Sequence, residues 1–425
     1  MKASIIPRRI DKEHSSRESL LTGILRKALI QRLESLNQGE IHLTEGERFY
    51  RFGSTTAEFP NPVTLNVLST DFYADIALGG SVGAGESYIH GNWNCSDLTL
   101  LIRILLRNRD TLDAMDTSLS RLKTPLHKLM HWLNRNTRSG SRRNIESHYD
   151  LGNELFSLFL DPTMMYSSAI YESEDHSLEQ AATAKVDRIC KKLQLQPGDE
   201  VLEIGTGWGG FAIHAAKYYG CHVTTTTISR EQFELARVRV IEEGLEDRVT
   251  LLLEDYRDLT GQFDKLVSVE MIEAIGHQYL DTYFETCSQL LKPHGMMLLQ
   301  AITIADQRYA SAKNSVDFIK RFIFPGGFLP SVTSMTDAIT RKTDMRIYHL
   351  EDIGEHYATT LRHWRQRFFN RVDEVRALGY PDGFVRLWEF YLSYCEGGFL
   401  ERVIGTVQIL LIKPDNRRAP ITPSL

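Results

Sequence analysis

Residues 201–210, VLEIGTGWGG, decide the fold: an apolar strand-like run enters a glycine-rich turn, and a helical segment follows. Gly205, Gly207 and Gly210 fit G-x-G-x-x-G, the spacing that lets a chain turn tightly and lay bare backbone against a ligand. Working outward, helix-like and strand-like segments alternate. SLEQAATAKVDRICKKL (177–193) reads as helix, EVLEIG (200–205) as buried strand, and AIHAAKYYG (212–220) as a helix ending at glycine. CHVTTTTIS (221–229) is a β-branched strand and REQFELARVRVIEEG (230–244) another helix. VTLLLED, FDKLVSVEM and MMLLQAITI supply further strands, with LDTYFETCSQLL as a helix between the last two. This alternation predicts a parallel sheet covered on both faces. RVIGTVQILLIKP (402–414) follows a long helical region and reads as an added antiparallel edge.

The glycine motif alone serves dinucleotides and S-adenosylmethionine alike, so its neighbours matter. Glu203 would repel a pyrophosphate but suits a ligand carrying an ammonium and a sulfonium. The second strand ends in TTTTIS without the acid that holds ribose in nicotinamide enzymes, and Gln232 could hydrogen-bond ribose instead. The residues therefore favour S-adenosylmethionine over NAD or flavin.

The remaining chain sets bounds. With 425 residues it is too long for one typical domain. Net charge −6 excludes a generally basic nucleic-acid binder, so no nucleic-acid partner is expected. Cys95, Cys190, Cys221, Cys287 and Cys395 form no C-x-x-C pair, which argues against a disulfide framework or a zinc knuckle; no metal is expected. No apolar run is long enough to cross a bilayer and no signal peptide opens the chain, so a cytoplasmic enzyme is expected. Ahead of the glycine motif, residues 1–115 read as a small α+β domain: an amphipathic helix over 19–36, then strands at ERFYRFG, PVTLNVLST and DFYADIALGG. Residues 117–145 contain no acid, and Leu126, Leu129, Met130 and Leu133 fall on one helical face. Such a helix suits an anionic lipid surface, and equally a linker packed on its neighbour. The aromatic block SHYDLGNELFSLFLDPTMMYSSAIYE (147–172) reads as a helical cap over the cofactor.

Together GESYIHGNW, HYDLGNELF, DPTMMYSSA, VLEIGTGWGG, TTTTISREQ, LLLEDYRDL, VSVEMIEAIG, YFETCSQLLKPHG, FIFPGGFLPS, HYATTLRHWRQRF and YLSYCEGGF resemble, in this order, the cyclopropane-fatty-acyl-phospholipid synthase family. The resemblance implies a Rossmann-like class I methyltransferase domain with a mostly parallel seven-stranded sheet at 146–425. It also implies a lipid-engaging, dimerising N-terminal domain at 1–115, with the basic linker (116–145) between them. It places cofactor contacts on Tyr166, Ser167, Glu203, Gly205, Thr206, Gly207, Trp208, Gly209, Thr227, Ile228, Gln232, Tyr256 and Arg257. The implied reaction methylates the cis double bond of phospholipid acyl chains at the inner face of the membrane.

The resulting carbocation must lose a proton, and the family is understood to use bound bicarbonate, cradled by a Cys, a Glu, a His, a backbone group and a Tyr. Here those positions are Ser168, Glu273, Gln300, Ile302 and Tyr357, so the Cys and His are replaced. Neither replacement can carry the positive charge of a histidine. Cyclopropane is the expected product, with methyl-branched or methylated unsaturated chains as the alternative. Cys395 matches a cysteine credited in the family with catalysis, but the sequence shows no base beside it and a buried structural thiol is the favoured reading. Trp208 is the tryptophan best placed to stack on the cofactor, although packing is the commoner role. A non-catalytic lipid- or cofactor-binding protein and a small-molecule methyltransferase are the rival classes.

Overall fold

The computed structural model describes residues 20–109 and 151–421, which divide into two compact units. The basic stretch expected to form an amphipathic helix lies outside the described residues, as do His148 and Tyr149. The expected uninterrupted domain from 146 onward is corrected, because residues 315–323 and 368–403 group with the N-terminal unit.

That first unit carries a four-stranded sheet: β1 (Gly39–Glu45), β2 (Arg48–Ser54), β3 (Val63–Val67) and β4 (Trp93–Cys95), in the order β2-β1-β3-β4. β1 and β2 form a hairpin turned by Gly46 at φ 56°, and β1 runs parallel to β3. DFYADIALGG is helix rather than strand: it opens the helix Asp71–Ile89, which buries Phe72 and Tyr73. Its aromatics mimic a strand and Gly79 and Gly80 mimic its closing turn, where Gly80 at φ 55° kinks the helix, while Gly85 farther along serves close packing. A Cβ on Gly85 would lie 2.3 Å from the Phe318 ring. The helix Asp382–Leu400 belongs here for the same reason, with a Cβ on Gly397 falling 2.8 Å from Ile102 Cγ2 of the helix Leu98–Arg107.

In the second unit the sheet comprises β5 (Glu200–Ile204), β6 (His222–Thr226), β7 (Val249–Leu252), β8 (Phe263–Val269), β9 (Leu291–Ile304), β10 (Arg346–Asp352) and β11 (Ile404–Ile412). These seven strands lie in the order β10-β11-β9-β8-β5-β6-β7. β5 through β9 pair in parallel, while β11 is antiparallel to both β9 and β10. β11 is thus interior, and the edge beyond it is β10, whose side chains are exposed or half-buried throughout and gave the sequence little strand signal.

Alternation along the strands separates two cores. Met297, Leu299 and Ala301 of β9 join Val407, Ile409 and Leu411 of β11 on one face, packed with Tyr283, Phe284 and Met335. Met296 and Leu298 join Leu410 and Ile412 on the other, against Ile189, Leu193 and Phe211. Covering both faces leaves the carboxyl ends of β5, β6, β7, β8 and β9 as the place where loops converge, the crevice such sheets use for ligands.

Candidate active site

The glycine loop is built by backbone. Gly205 and Gly207 sit at φ 104° and 52°, a region that side chains resist, and Gly209 at φ 85° launches the helix Gly210–Tyr219. The amides of Gly205 and Thr206 both donate to the Thr226 carbonyl, tying the loop to β6. Thr206 Oγ1 meets Thr225 Oγ1 at 2.8 Å, so its side chain is buried within the sheet. A Cβ on Gly210 would sit 2.8 Å from the Thr163 carbonyl, because the segment carrying Tyr166 and Ser167 lies directly against the loop.

Around the loop the expected contacts gather at neighbouring strand ends. Thr227 Oγ1 donates to Gln232 Oε1 at 3.0 Å beyond β6, with Ile228 half-buried between them. Tyr256 follows β7, and its buried hydroxyl has no hydrogen-bond partner among the described residues. Arg257 is not available to a ligand as a free charge: Asp255 holds it at 2.8 and 2.6 Å. Tyr166 packs its ring 5.2 Å from Trp364 and 5.1 Å from Phe156. Trp208 is turned the same way, with its ring 5.0 Å from Phe156 and its Nε1–H donated to Asn153 at 2.6 Å. Its indole is committed to packing the cap segment.

Four buried titratable groups define the electrostatics. Glu203 Oε2 accepts from Thr225 Oγ1 at 2.6 Å, and burial pushes its pKa up to about 8 against the pull of Thr225 and Lys185. Lys185 is wholly buried, donates to Ser167 Oγ at 2.9 Å, and is pushed down to about 8 by burial, although Glu270, Asp161 and Glu203 favour its charge. Glu273 accepts the Ile302 N–H through Oε1 at 2.5 Å, while its Oε2 is buried without a partner among the described residues. Burial first, and then the charge of Glu270, raise its pKa to about 8.

Glu270 is the centre of the cluster. Its Oε1 accepts the Ser168 backbone N–H at 2.9 Å and Gln300 Nε2 at 2.8 Å, and its Oε2 accepts Tyr357 Oη–H at 2.7 Å. Burial raises its pKa, and the Gln300, Tyr357 and Ser168 donors and the Lys185 charge oppose the rise. Gln300 is oriented from behind: its Oε1 accepts from Gln408 Nε2 at 3.0 Å, and Gln408 Oε1 accepts from Lys192 at 2.8 Å. The Ser168 hydroxyl itself is directed at the Ala169 carbonyl, 3.1 Å away.

These observations correct two expectations. The residues expected to cradle bicarbonate are already committed: Ser168 N–H, Gln300 and Tyr357 bond Glu270, Ile302 N–H bonds Glu273, and the Ser168 hydroxyl is directed at the Ala169 carbonyl. A bound bicarbonate does not fit that donor set. Cys395 lies in the first unit, outside this cluster, and burial together with the Asp317 charge pushes its thiol up, the reverse of what a nucleophilic thiolate needs.

S-adenosylmethionine, in contrast, fits. One buried cation, Lys185, shares the site with Glu203, Glu270 and Glu273, leaving it short of positive charge. A ligand bearing a sulfonium and an ammonium supplies that charge, and the bare glycine turn and the unpartnered Tyr256 hydroxyl give it backbone and polar contact. Fold and site together define a class I S-adenosylmethionine-dependent methyltransferase. Residues 136–409 match the family described as mycolic acid cyclopropane synthetase, and the chain belongs to it.

The tuberculostearic acid methyltransferase UfaA1 of Mycobacterium tuberculosis is 39% identical over 85% of this chain and 86% of its own length. The cyclopropane-fatty-acyl-phospholipid synthase of Escherichia coli K12 is also 39% identical, over 82% and 87%. Among solved structures, mycolic acid cyclopropane synthase CmaA1 complexed with SAH and CTAB superposes with TM-score 0.60 at 30% identity, covering 64% of this chain and 98% of that one.

Glu270, Lys185 and Gln408 escaped the sequence reading. Glu270 had a signal: it stands three residues before Glu273 in VSVEMIEAIG, directly after an apolar strand. Lys185 and Gln408 had none, because each lies within an otherwise ordinary helix or strand pattern.

Proposed function

We propose that this enzyme transfers a methyl carbon from S-adenosylmethionine to the cis double bond of phospholipid acyl chains and that proton loss closes a cyclopropane ring. The observation that carries the reading is the buried carboxylate pair, Glu270 and Glu273, beside the glycine loop. S-adenosylmethionine, when bound, supplies an electrophilic methyl on a sulfonium. An isolated alkene is a feeble nucleophile, so the chain's own task is to hold it in line and keep water out. The aromatic wall of Tyr166, Phe156 and Trp364 suits an acyl chain, and carboxylates beside it stabilise positive charge developing on carbon. Among the described residues no helix is long and apolar enough to cross a membrane, so the lipid would be reached from the bilayer surface. The basic stretch before residue 145 is the proposed contact there, and homodimerisation through the N-terminal unit is proposed from the resemblance alone.

A second reading, methyl-branched or methylated unsaturated chains, is favoured by the Ser168 and Gln300 replacements and by the likeness to the tuberculostearic acid methyltransferase. The same cation serves both outcomes, and the proton lost decides between them. The test is a fatty-acid methyl-ester profile of bacteria expressing this chain in a background without its own cyclopropane synthase. A gain of one CH2 that survives hydrogenation as a ring is expected. The same gain in a branched or still unsaturated chain selects the second reading, and no gain removes both.

A further inference from the structure

We propose that Glu270 is the base that deprotonates the methylated acyl chain, a tethered carboxylate doing the work expected of a free bicarbonate. The inference rests on the function proposed above but concerns one residue that neither the sequence reading nor the resemblance assigned. Its basis is geometric. Ser168 N–H, Gln300 Nε2 and Tyr357 Oη–H arrive at 2.9, 2.8 and 2.7 Å on a single carboxylate, an arrangement suited to a planar oxyanion.

Two further observations point the same way. Glu270 holds φ 49°, a conformation a side-chain-bearing residue adopts at a cost, and its amide is pinned to the Gln300 carbonyl at 2.8 Å. That backbone directs the carboxyl into the cluster where the Ser168, Gln300 and Tyr357 donors meet. The second is the orientation of Gln300. Gln408, itself fixed by Lys192, donates to Gln300 Oε1 and so leaves Gln300 Nε2 to face Glu270. A histidine in that place could have offered a proton; the amide offers only a neutral donor and no proton to the carboxylate. Lys185 completes the set by favouring the ionised form.

The step balances without a further reagent. The alkene π pair forms the bond to the methyl carbon, the C–S pair leaves with sulfur, and the neighbouring chain carbon becomes a cation. One Glu270 oxygen then takes a proton from the new methyl, forming O–H. The released C–H pair closes the ring, or gives an alkene when the proton comes from an adjacent chain carbon. The proton passes to water as product leaves.

The experiment has one arm with lipid and one without. In carbonate-depleted buffer, with vesicles of cis-unsaturated phosphatidylglycerol, S-adenosylhomocysteine release by the full-length enzyme should change less than about twofold when bicarbonate is added. A several-fold stimulation of the wild type overturns the proposal. Glu270→Gln, assayed at saturating S-adenosylmethionine, should lose about 10²–10⁴ in rate, the range for a general base. A variant that binds cofactor and keeps a tenth of the rate also overturns it.

The second arm titrates [13C]bicarbonate against protein alone and reads line broadening by NMR. Glu270→Ala, which empties the carboxylate's place, should bind bicarbonate and the wild type should not. Binding by the wild type, or by neither, sinks the idea. Because this arm needs no turnover, a wild type inactive on phospholipid would retire the functional reading and still leave Glu270 judged.

Discussion

Two sets of acids, one in each unit, are held in opposite ways. In the first, the Glu401 side chain is 1% exposed and lies between Arg103 at 2.7 Å and Arg107 at 2.6 Å; Glu45 likewise takes Arg26 at 2.6 Å and the Tyr73 hydroxyl at 3.1 Å. Each carboxylate meets a guanidinium, and the charge is settled when the chain folds. In the second, Glu203, Glu270 and Glu273 receive hydroxyl, amide and backbone donors, and none of them is ion-paired among the described residues. Lys185 spends its hydrogen bond on Ser167 rather than on an acid. Paired acids hold a fold together, whereas acids left short of cations hold a place for one that arrives later.

The sharpest way to break this comparison is a reciprocal pair of substitutions. Glu273→Gln keeps an acceptor for the Ile302 N–H but cannot ionise as a cation develops beside it, so turnover should fall about a hundredfold as that stabilisation is lost. Its melting temperature should not drop, because an unpaired buried carboxyl has been relieved. Glu401→Gln should do the reverse. It leaves Arg103 without its ion-pair partner and Arg107 with Glu58 alone, costing about 2 kcal/mol, less than a fully buried pair because both arginines are partly exposed. Turnover per folded molecule should be retained. Thermal melts and S-adenosylhomocysteine release on both variants decide it; loss of stability in Glu273→Gln with activity intact would invert the assignment.

A gentler probe is pH. Glu203 and Glu273 have folded pKa values raised from 4.5 to about 8, so folding favours their protonated forms. The stability this gives is fully present below about pH 4.5 and is lost as pH climbs toward 8. Lys185 is shifted down from 10.5 to about 8, so its own contribution changes only above that value. Cofactor-free enzyme should therefore melt lower at pH 8 than at pH 5.5. Binding of a cationic ligand should expel a proton from Glu203 near pH 7, measurable by calorimetry in buffers of different ionisation enthalpy. Glu203→Gln should abolish that proton release, and its persistence would place the proton elsewhere.

What the sequence disclosed follows the same physics. The alternation around VLEIGTGWGG disclosed the parallel sheet because buried strands between amphipathic helices leave a strong apolar signal. β10 was hidden, since an edge strand with half-exposed side chains leaves almost none. The helix from Asp71 was misread because aromatics followed by Gly79 and Gly80, where the helix kinks, look like a strand bounded by a turn. At the site, Glu273, Ile302, Tyr357, Gln300 and Ser168 were legible by position, but their bonding was not. Whether the Gln300, Tyr357 and Ser168 donors face an empty cradle or a carboxylate depends on the backbone turn at Glu270, which no spacing reveals.

The smallest expected effect concerns Trp208, the expected cofactor contact that the structure turns toward packing. Trp208→Phe keeps an aromatic ring near Phe156 but removes the hydrogen bond to Asn153 Oδ1. Loss of one such bond is worth about 1 kcal/mol, so a small fall in melting temperature is expected. Affinity for S-adenosylmethionine, measured by calorimetry, should stay within about threefold, because in this arrangement the indole supports the cap segment and not the ligand. A tenfold loss of affinity without a change in melting temperature would return Trp208 to the cofactor. It would also show that the aromatic cluster around Tyr166 rearranges when the site fills.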